Sequence, residues 1–168
     1  MMASGLRKFA LTTHITSSIG WIGAVAAFLA FAIAGMTSPD AQLVRAAYLA
    51  MEMTTWFVIV PLAFVSLLSG IVSSLGTNWG LFRHYWVLLK LLITILATIV
   101  LLIHTQPIDL LAAAAATHTI AFKVDLQSRQ LMMVYASSAA LLALLVATAL
   151  SVYKPRGVTP YGWRKQHE

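Results

Sequence analysis

Five ionisable side chains lie within, or at the margin of, long apolar segments of the sequence. They are His14, Glu52, His84, Lys90 and His104. An ionisable group at the centre of a bilayer costs on the order of 2.5 to 3.5 kcal/mol on insertion scales, so such residues tend to face the interior of a helix bundle and to mark a function. Imidazoles ligate haem and metal ions, and a lysine supplies a point charge. These residues are therefore the first candidates for chemistry.

His14 and His84 are candidates for the ligation of a haem iron. They lie on the first and third apolar segments, and one imidazole on each of two facing helices ligates the iron in membrane b-type cytochromes. Trp21 lies seven residues, close to two helical turns, after His14, so it shares a face with that histidine and would wall the ring together with Trp86. Lys90 would lie near a propionate. Haem b is therefore the predicted cofactor, although histidines that only hydrogen-bond to headgroups, serines or water fit the same spacing.

A second candidate site lies at the other ends of the helices. Every methionine after the first two residues of the chain falls there, beside His104. Thioether and imidazole groups together suit Cu(I), so His104, Met51 and Met53 form the alternative copper site. Methionine is also an ordinary filler of gaps in apolar packing, and Glu52 could simply neutralise His104.

The composition requires helices that cross a membrane. Apolar residues make up 60% of the chain, charged residues 10%, and the mean hydropathy is +0.86. The apolar residues fall in four segments, at about 9–36, 50–75, 81–104 and 131–153, each long enough for the ~20 residues that cross ~30 Å of hydrocarbon. The predicted fold is an all-α, integral membrane four-helix bundle.

Smaller features complete this predicted architecture. Pro61 predicts a kink within the second span rather than a break, whereas Pro107 predicts the end of the third. An extramembrane or interfacial helical segment is expected at about 108–128. Residues 1–168 form a single transmembrane domain, of which 154–168 are a polar cytoplasmic tail.

The distribution of basic residues predicts the orientation. Seven basic residues belong to the side that carries both termini and the second connection: Arg7, Lys8, Arg83, Lys154, Arg156, Arg164 and Lys165. Only three, Arg45, Lys123 and Arg129, belong to the opposite side. The positive-inside rule therefore places the N- and C-termini in the cytoplasm. A multi-pass protein of the bacterial cytoplasmic (inner) membrane is the expected localisation.

Several classes of function are excluded or disfavoured. The absence of cysteine excludes disulfides, thiolate metal sites, iron–sulfur clusters and cysteine nucleophiles. There is no glycine-rich phosphate loop and no paired inward carboxylates. The net charge of +6 comes from residues that flank apolar segments, which fits anionic lipid rather than nucleic acid. Expected partners are the lipid bilayer, a quinone or a redox partner protein, and a second copy of the chain.

Two stretches of the chain carry a family resemblance. They are His14-Ile15-Thr16-Ser17-Ser18-Ile19-Gly20-Trp21-Ile22-Gly23, and Ser69-Gly70 through His84-Tyr85-Trp86-Val87-Leu88-Leu89-Lys90. Nearly the whole chain resembles a family of uncharacterised bacterial four-helix integral membrane proteins. These are in turn similar to the copper resistance protein D family and, more distantly, to the haem-containing, oxygen-independent protoporphyrinogen oxidase family. The last resemblance implies that a first-helix histidine and a third-helix lysine, here His14 and Lys90, are functionally important.

Three functions follow as hypotheses. The leading one is a small membrane haem b protein for electron transfer or haem-linked oxidation. The alternative is a copper-handling or transport protein that uses His104 and the methionines. The third is a structural membrane subunit without a cofactor. Its polar residues would only stabilise the packing of the helices, through interhelical hydrogen bonds that contribute ~0.6 kcal/mol on average.

Overall fold

The described part of the chain is almost entirely helical. The computed structural model describes residues 3–76, 80–116, 123–155 and 157–167. Its helices are α1 (Ser4–Thr37), α2 (Ala41–Thr54), the π-helix π1 (Thr55–Ile59), α3 (Val60–Leu75), α4 (Tyr85–Ala116), α5 (Lys123–Tyr153) and α6 (Pro160–His167). Because π1 joins α2 to α3 without a break, the described residues include four helical segments long and apolar enough to cross a membrane. The predicted all-α four-helix architecture is confirmed.

Close approaches along α1 define how the helices pack. Gly35 faces Tyr48 of α2, whose hydroxyl donates to the Gly35 carbonyl at 3.0 Å, and Gly20 faces Leu62 of α3. The α2–α3 segment therefore runs antiparallel to α1. Helix α5 also packs against α1, and α4 packs against α2, α3 and α5. The core includes Trp21, Phe28, Met51, Leu111 and Met133.

The outer surface of the bundle is rich in large apolar side chains. Phe9, Phe57 and Leu142 are 69%, 77% and 64% exposed, respectively. Soluble monomers rarely expose large contiguous apolar patches, and an extensive apolar exterior marks contact with a membrane or a partner. The exterior therefore agrees with the membrane-spanning length of the four segments.

The second span remains helical through Pro61, as the sequence predicts. Proline has no N–H to donate, and its ring collides with the carbonyl four residues earlier in a regular α-helix. The helix has π-type hydrogen bonding over Thr55–Ile59, immediately before this point. Pro61 then lies in the first turn of α3. The Thr55 hydroxyl donates to the Met51 carbonyl at 2.8 Å. The departure from α-helical geometry is confined to these five residues, because regular α-helix resumes at Val60.

The predicted end of the third helix is wrong. Helix α4 continues through Pro107 to Ala116, so residues 108–116 are a continuation of the third helix and not a separate helix. A proline within a membrane helix is tolerated where neighbouring helices and side-chain hydroxyls compensate for the lost hydrogen bond. Thr105 donates to the Leu102 carbonyl at 2.8 Å just before the proline. Of the rest of the predicted 108–128 segment, residues 117–122 lie outside the described residues, and α5 begins at Lys123.

The polar tail folds back onto the start of α4. Thr159 donates its N–H to the Arg83 carbonyl at 2.9 Å, and His84 pairs with Val158 in an isolated antiparallel bridge. The Thr159 hydroxyl accepts from the N–H of Gly162 at 3.1 Å and so caps α6. The tail thereby packs against one end of the bundle, where α1 and α4 begin and α3 and α5 end, which is called the terminal end below.

Candidate functional site

His14 of α1 bridges two other helices through its two ring nitrogens. Its Nδ1 lies 2.9 Å from the Ser66 carbonyl oxygen of α3, and its Nε2 lies 3.1 Å from Nζ of Lys90 on α4. An ammonium group can only donate, so Nε2 accepts from Lys90. The remaining ring proton is then on Nδ1, which donates to Ser66. Both contacts together select one tautomer of the neutral imidazole.

Serine hydroxyls surround this contact on the α1 and α3 sides. The Ser18 and Ser66 hydroxyls lie 2.7 Å apart, and Ser69 Oγ lies 3.4 Å from His14 Nδ1. Ser66 is buried, and Ser69 is half-buried. Residues 66 and 69 are three apart on α3 and therefore share a face. The imidazole lies in a small polar region between three apolar helices.

Gly70 makes the close packing of the imidazole possible. A Cβ atom at this position would lie 2.9 Å from Cε1 and 3.2 Å from Nδ1 of His14. Real Cβ atoms essentially never approach another heavy atom so closely, and His14 is held by hydrogen bonds on both sides. The glycine therefore sets the distance between α1 and α3 at the site.

One further serine on the same face of α3 has an unmet hydrogen bond. Among the described residues, the Ser73 hydroxyl is buried and has no hydrogen-bond partner. Ser73 follows Ser69 by four residues, about one helical turn nearer the terminal end. A buried hydroxyl without a partner costs roughly 1–3 kcal/mol. A water molecule or a polar group of a ligand would satisfy it.

No carboxylate accompanies Lys90 in the described structure. The Lys90 ammonium group forms a hydrogen bond with His14. The acidic residues of the chain are Asp40, Glu52, Asp109, Asp125 and Glu168, and the first three belong to the end of the bundle opposite the terminal end. Within the part of the chain that the structure describes, the site therefore combines a lysine and an imidazole without a neighbouring carboxylate.

The structure places the other predicted haem residues elsewhere. His84 caps the start of α4, where its carbonyl accepts from the N–H of Leu88 at 3.3 Å, and its ring lies 6.5 Å from that of Trp86. Trp86 lines a groove between α4 and α5. Trp21 is 3% exposed and lines a different cavity, further along α1. Of the five predicted haem residues, His14 and Lys90 are joined by a hydrogen bond across two helices, whereas His84 and Trp86 are neighbours at the start of α4.

The three residues of the alternative copper site do not come together around one cavity. His104 lines a cavity of about 60 Å³ together with Met133, Thr55 and Trp21, and its Nδ1 lies 2.7 Å from the Val100 carbonyl. Met51 is 1% exposed, whereas Met53 is 62% exposed. Met51 and Met53 are two residues apart on a helix and therefore point in different directions. The methionine that lines the cavity together with His104 is Met133. Within the described residues, no group of three or more His, Asp or Glu side chains has the proximity needed for a metal ion.

Sequence reasoning missed the contribution of α3 to the site. It did not identify Ser66, whose backbone carbonyl orients His14, because a carbonyl is common to every residue. The spacing of Ser66, Ser69, Gly70 and Ser73 within an apolar segment was a usable signal. This spacing places three hydroxyl groups and one glycine without a side chain on one face of a helix.

Fold and site together define an all-α protein with four helical segments of membrane-spanning length and an interhelical histidine–lysine pair. Comparison with protein-family models, curated proteins and solved structures found no match for the chain. Its function must therefore be argued from the site.

Proposed function

We propose that this protein is a small membrane redox protein that binds haem b through Nε2 of His14. The observation that supports this best is the hydrogen bond from Nδ1 to the Ser66 carbonyl at 2.9 Å. Histidines that ligate metals almost always donate their other ring N–H to a carbonyl or carboxylate, which fixes the tautomer and raises the basicity of the ligating nitrogen. His14 has this arrangement.

Lys90 has a second role in this proposal. Its ammonium is 3.1 Å from the same Nε2, so a haem iron would have to compete with Lys90 for one lone pair. The flexible four-carbon stem of a lysine lets the ammonium move, and a haem propionate would then be its partner. The unpartnered Ser73 hydroxyl offers a further hydrogen bond to such a carboxylate. The donor set would supply one axial imidazole and a cation for a propionate, on the condition that Lys90 leaves the imidazole.

The chemistry would be one-electron transfer, which haem supplies when bound. The chain's own residues would ligate the iron, neutralise a propionate and exclude water from the centre. His84 as the second axial ligand, and Trp21 and Trp86 as walls, remain predictions from the sequence. A quinone in the membrane or a partner protein would exchange electrons with the centre.

The proposed location is the bacterial cytoplasmic membrane, with both termini in the cytoplasm. Its support is the distribution of basic residues along the sequence, with seven on the side that carries both termini and three on the other, because basic residues are retained on the cytoplasmic side. The resemblance to the protoporphyrinogen oxidase family agrees with a functional His14–Lys90 pair. Haem-linked oxidation of a substrate in the membrane is the enzymatic form of the proposal.

Optical spectra of the purified protein, oxidised and then reduced, test the proposal. Protein produced with ample haem should show a Soret band that shifts on reduction. His14→Ala should lose most of the haem or convert it to a five-coordinate, high-spin form, because an iron bond is removed. His104→Ala is the matched control, since Lys90 and His104 are fourteen residues apart on α4, ~21 Å at 1.5 Å per residue. A wild-type protein without a Soret band would exclude haem.

A second candidate function is the handling of Cu(I). It rests on the cavity that His104 shares with Met133 and on the contact of His104 Nδ1 with the Val100 carbonyl at 2.7 Å. If Nδ1 donates to that carbonyl, Nε2 has a lone pair for a metal. Met133 is 1% exposed, so its thioether lies within the bundle. We propose His104 and Met133, in place of the predicted trio with Met51 and Met53, as the ligands to test.

A further inference from the structure

The C-terminal tail is hydrogen-bonded to the connection that precedes α4. The N–H of Thr159 donates to the Arg83 carbonyl at 2.9 Å, and the Thr159 hydroxyl donates to the Phe82 carbonyl at 2.5 Å. Thr159 is 5% exposed, and a hydrogen bond that is shielded from water is stronger than one in water. The tail is therefore attached at this point by two buried hydrogen bonds.

The tail also satisfies a backbone donor at the start of α4. The first four N–H groups of an α-helix have no carbonyl partner within the helix. The N–H of Tyr85, the first residue of α4, donates to the Gly157 carbonyl at 3.3 Å. The preceding residue, His84, pairs with Val158 of the tail, and its carbonyl accepts from the N–H of Leu88. The tail therefore holds the backbone at the point where α4 begins.

One hydroxyl links the folding of α6 to its attachment. The Thr159 hydroxyl accepts from the N–H of Gly162 at 3.1 Å while it donates to the Phe82 carbonyl. The loss of this hydroxyl would leave an N–H of α6 and a carbonyl before α4 without their partner. Unsatisfied backbone groups are costly where water is excluded, so the start of α6 and its contact with the connection depend on each other.

The closest approach of the two segments lies at Gly162. A Cβ atom on this residue would overlap the Arg83 carbonyl oxygen and lie 2.8 Å from Cγ1 of Val158. A backbone oxygen cannot turn aside as the end of a long side chain can, so a methyl group here would push α6 away from the connection. Gly157 differs, because a Cβ there would lie 3.5 Å from the Tyr85 side chain, an ordinary contact. The two glycines therefore form a matched pair for an experiment.

Lys90 lies close to the end of α4 that the tail holds. It follows Tyr85 by five residues in a continuous helix, about 7.5 Å along the axis at 1.5 Å per residue. Its Nζ lies 3.1 Å from Nε2 of His14, and the imidazole is held on its other side by the Ser66 carbonyl. Because the imidazole is fixed to α3, it cannot follow a movement of α4. A rotation or axial shift of this end of α4 would therefore weaken the bond between Lys90 and His14.

We propose that the tail is a strap that holds Lys90 on His14. With the tail attached, α4 begins at a fixed position and the ammonium occupies the Nε2 lone pair. With the tail released, the start of α4 shifts and Nε2 becomes available to another partner. The inference concerns a hydrogen bond within the chain, so it does not depend on haem. For the proposed haem site, the strap would regulate ligation, since ligation requires Lys90 to leave the imidazole.

Hydrogen–deuterium exchange tests whether the tail holds α4. Exchange is measured by mass spectrometry in peptides that cover residues 82–88 and 157–163 of the detergent-purified protein. Gly162→Ala should exchange roughly two- to tenfold faster in both peptides, as expected for the loss of about one hydrogen bond from each. Alanine favours a helix over glycine, so α6 itself is not weakened. Gly157→Ala is the control and should exchange as the wild type does.

NMR of protein with ¹⁵N-labelled histidine tests whether the tail controls the site. His14 is assigned by its absence in His14→Gln, and Lys90→Met gives the Nε2 resonance of an imidazole without the ammonium donor. In Gly162→Ala, the Nε2 resonance should move from the wild-type position towards the Lys90→Met position. Thr159→Val removes the hydroxyl with little change of shape and should have the same effect.

Two results would overturn the proposal. One is an unchanged Nε2 resonance of His14 in Gly162→Ala and Thr159→Val while the tail peptide exchanges faster, since the strap would then not reach Lys90. The other is equal exchange in Gly157→Ala and Gly162→Ala, since the close approach to Arg83 would then not hold the tail. Slow exchange of α1 residues 24–35 is the reference for a folded bundle in each variant.

Discussion

Lys90 Nζ lies 3.1 Å from His14 Nε2 although the two residues are 76 positions apart in the chain. The contact joins α4 to α1, and the Ser66 carbonyl joins the other face of the same ring to α3. A single imidazole thus connects three of the four membrane-length segments. Its protonation state, its ligands and the packing of these helices are consequently linked, which gives the following predictions.

Lys90→Met keeps a side chain of similar volume and removes the ammonium group that donates to Nε2 of His14. Haem should therefore remain bound, since the competitor for the ligating lone pair is removed. The reduction potential should fall, because a positive charge near the iron stabilises the reduced state relative to the oxidised one. Redox titration of the haem bands measures this shift. An unchanged potential would mean that Lys90 is not near the haem.

Gly70→Ala places a methyl group 2.9 Å from His14 Cε1. We expect a loss of roughly 1–3 kcal/mol of unfolding free energy, typical of overpacking in a well-packed interior, and a loss of haem if His14 is the ligand. Unfolding in mixed micelles and the ratio of haem to protein measure the two effects. Gly23→Ala is the matched control, because a Cβ there would meet nothing within 4 Å. Equal behaviour of the two variants would show that the imidazole is free to move.

Met133→Leu keeps an apolar side chain of similar size and removes the thioether, so Cu(I) binding at the His104 cavity should weaken strongly. Met53→Leu should bind as the wild type does, because Met53 is 62% exposed and points away from the core. Competition with a Cu(I) chelator measures both affinities. A loss confined to Met53→Leu would instead support the site predicted from the sequence.

The orientation of the chain can be measured directly. Reporter fusions near residue 40 and near residue 120 should be active outside the cytoplasm, and a fusion at the C-terminus should be active inside it. The reason is the seven-to-three distribution of basic residues and their retention on the cytoplasmic side. A C-terminal reporter outside the cytoplasm would contradict the prediction and reverse the two faces of the bundle.

The sequence alone determined the four long helices. Apolar side chains in runs of more than ~20 residues leave a helix as the form in which every backbone group is satisfied within a bilayer. It also identified His14 and Lys90, because ionisable residues in such runs are rare and conspicuous. These are local properties of composition, and they can be recognised without knowledge of the partner helices.

Only the tertiary structure decided which residues meet. It joined His14 to Lys90 and Ser66, and it separated them from Trp21 and from the Trp86 groove. Residue spacing gives the face of a helix but neither its rotation against a neighbour nor the depth at which two side chains meet. Pro107 shows the same limit, since it weakens an isolated helix by its missing N–H, yet α4 continues through it. Contacts between helices supply the free energy that local propensity lacks, and those contacts belong to the folded bundle.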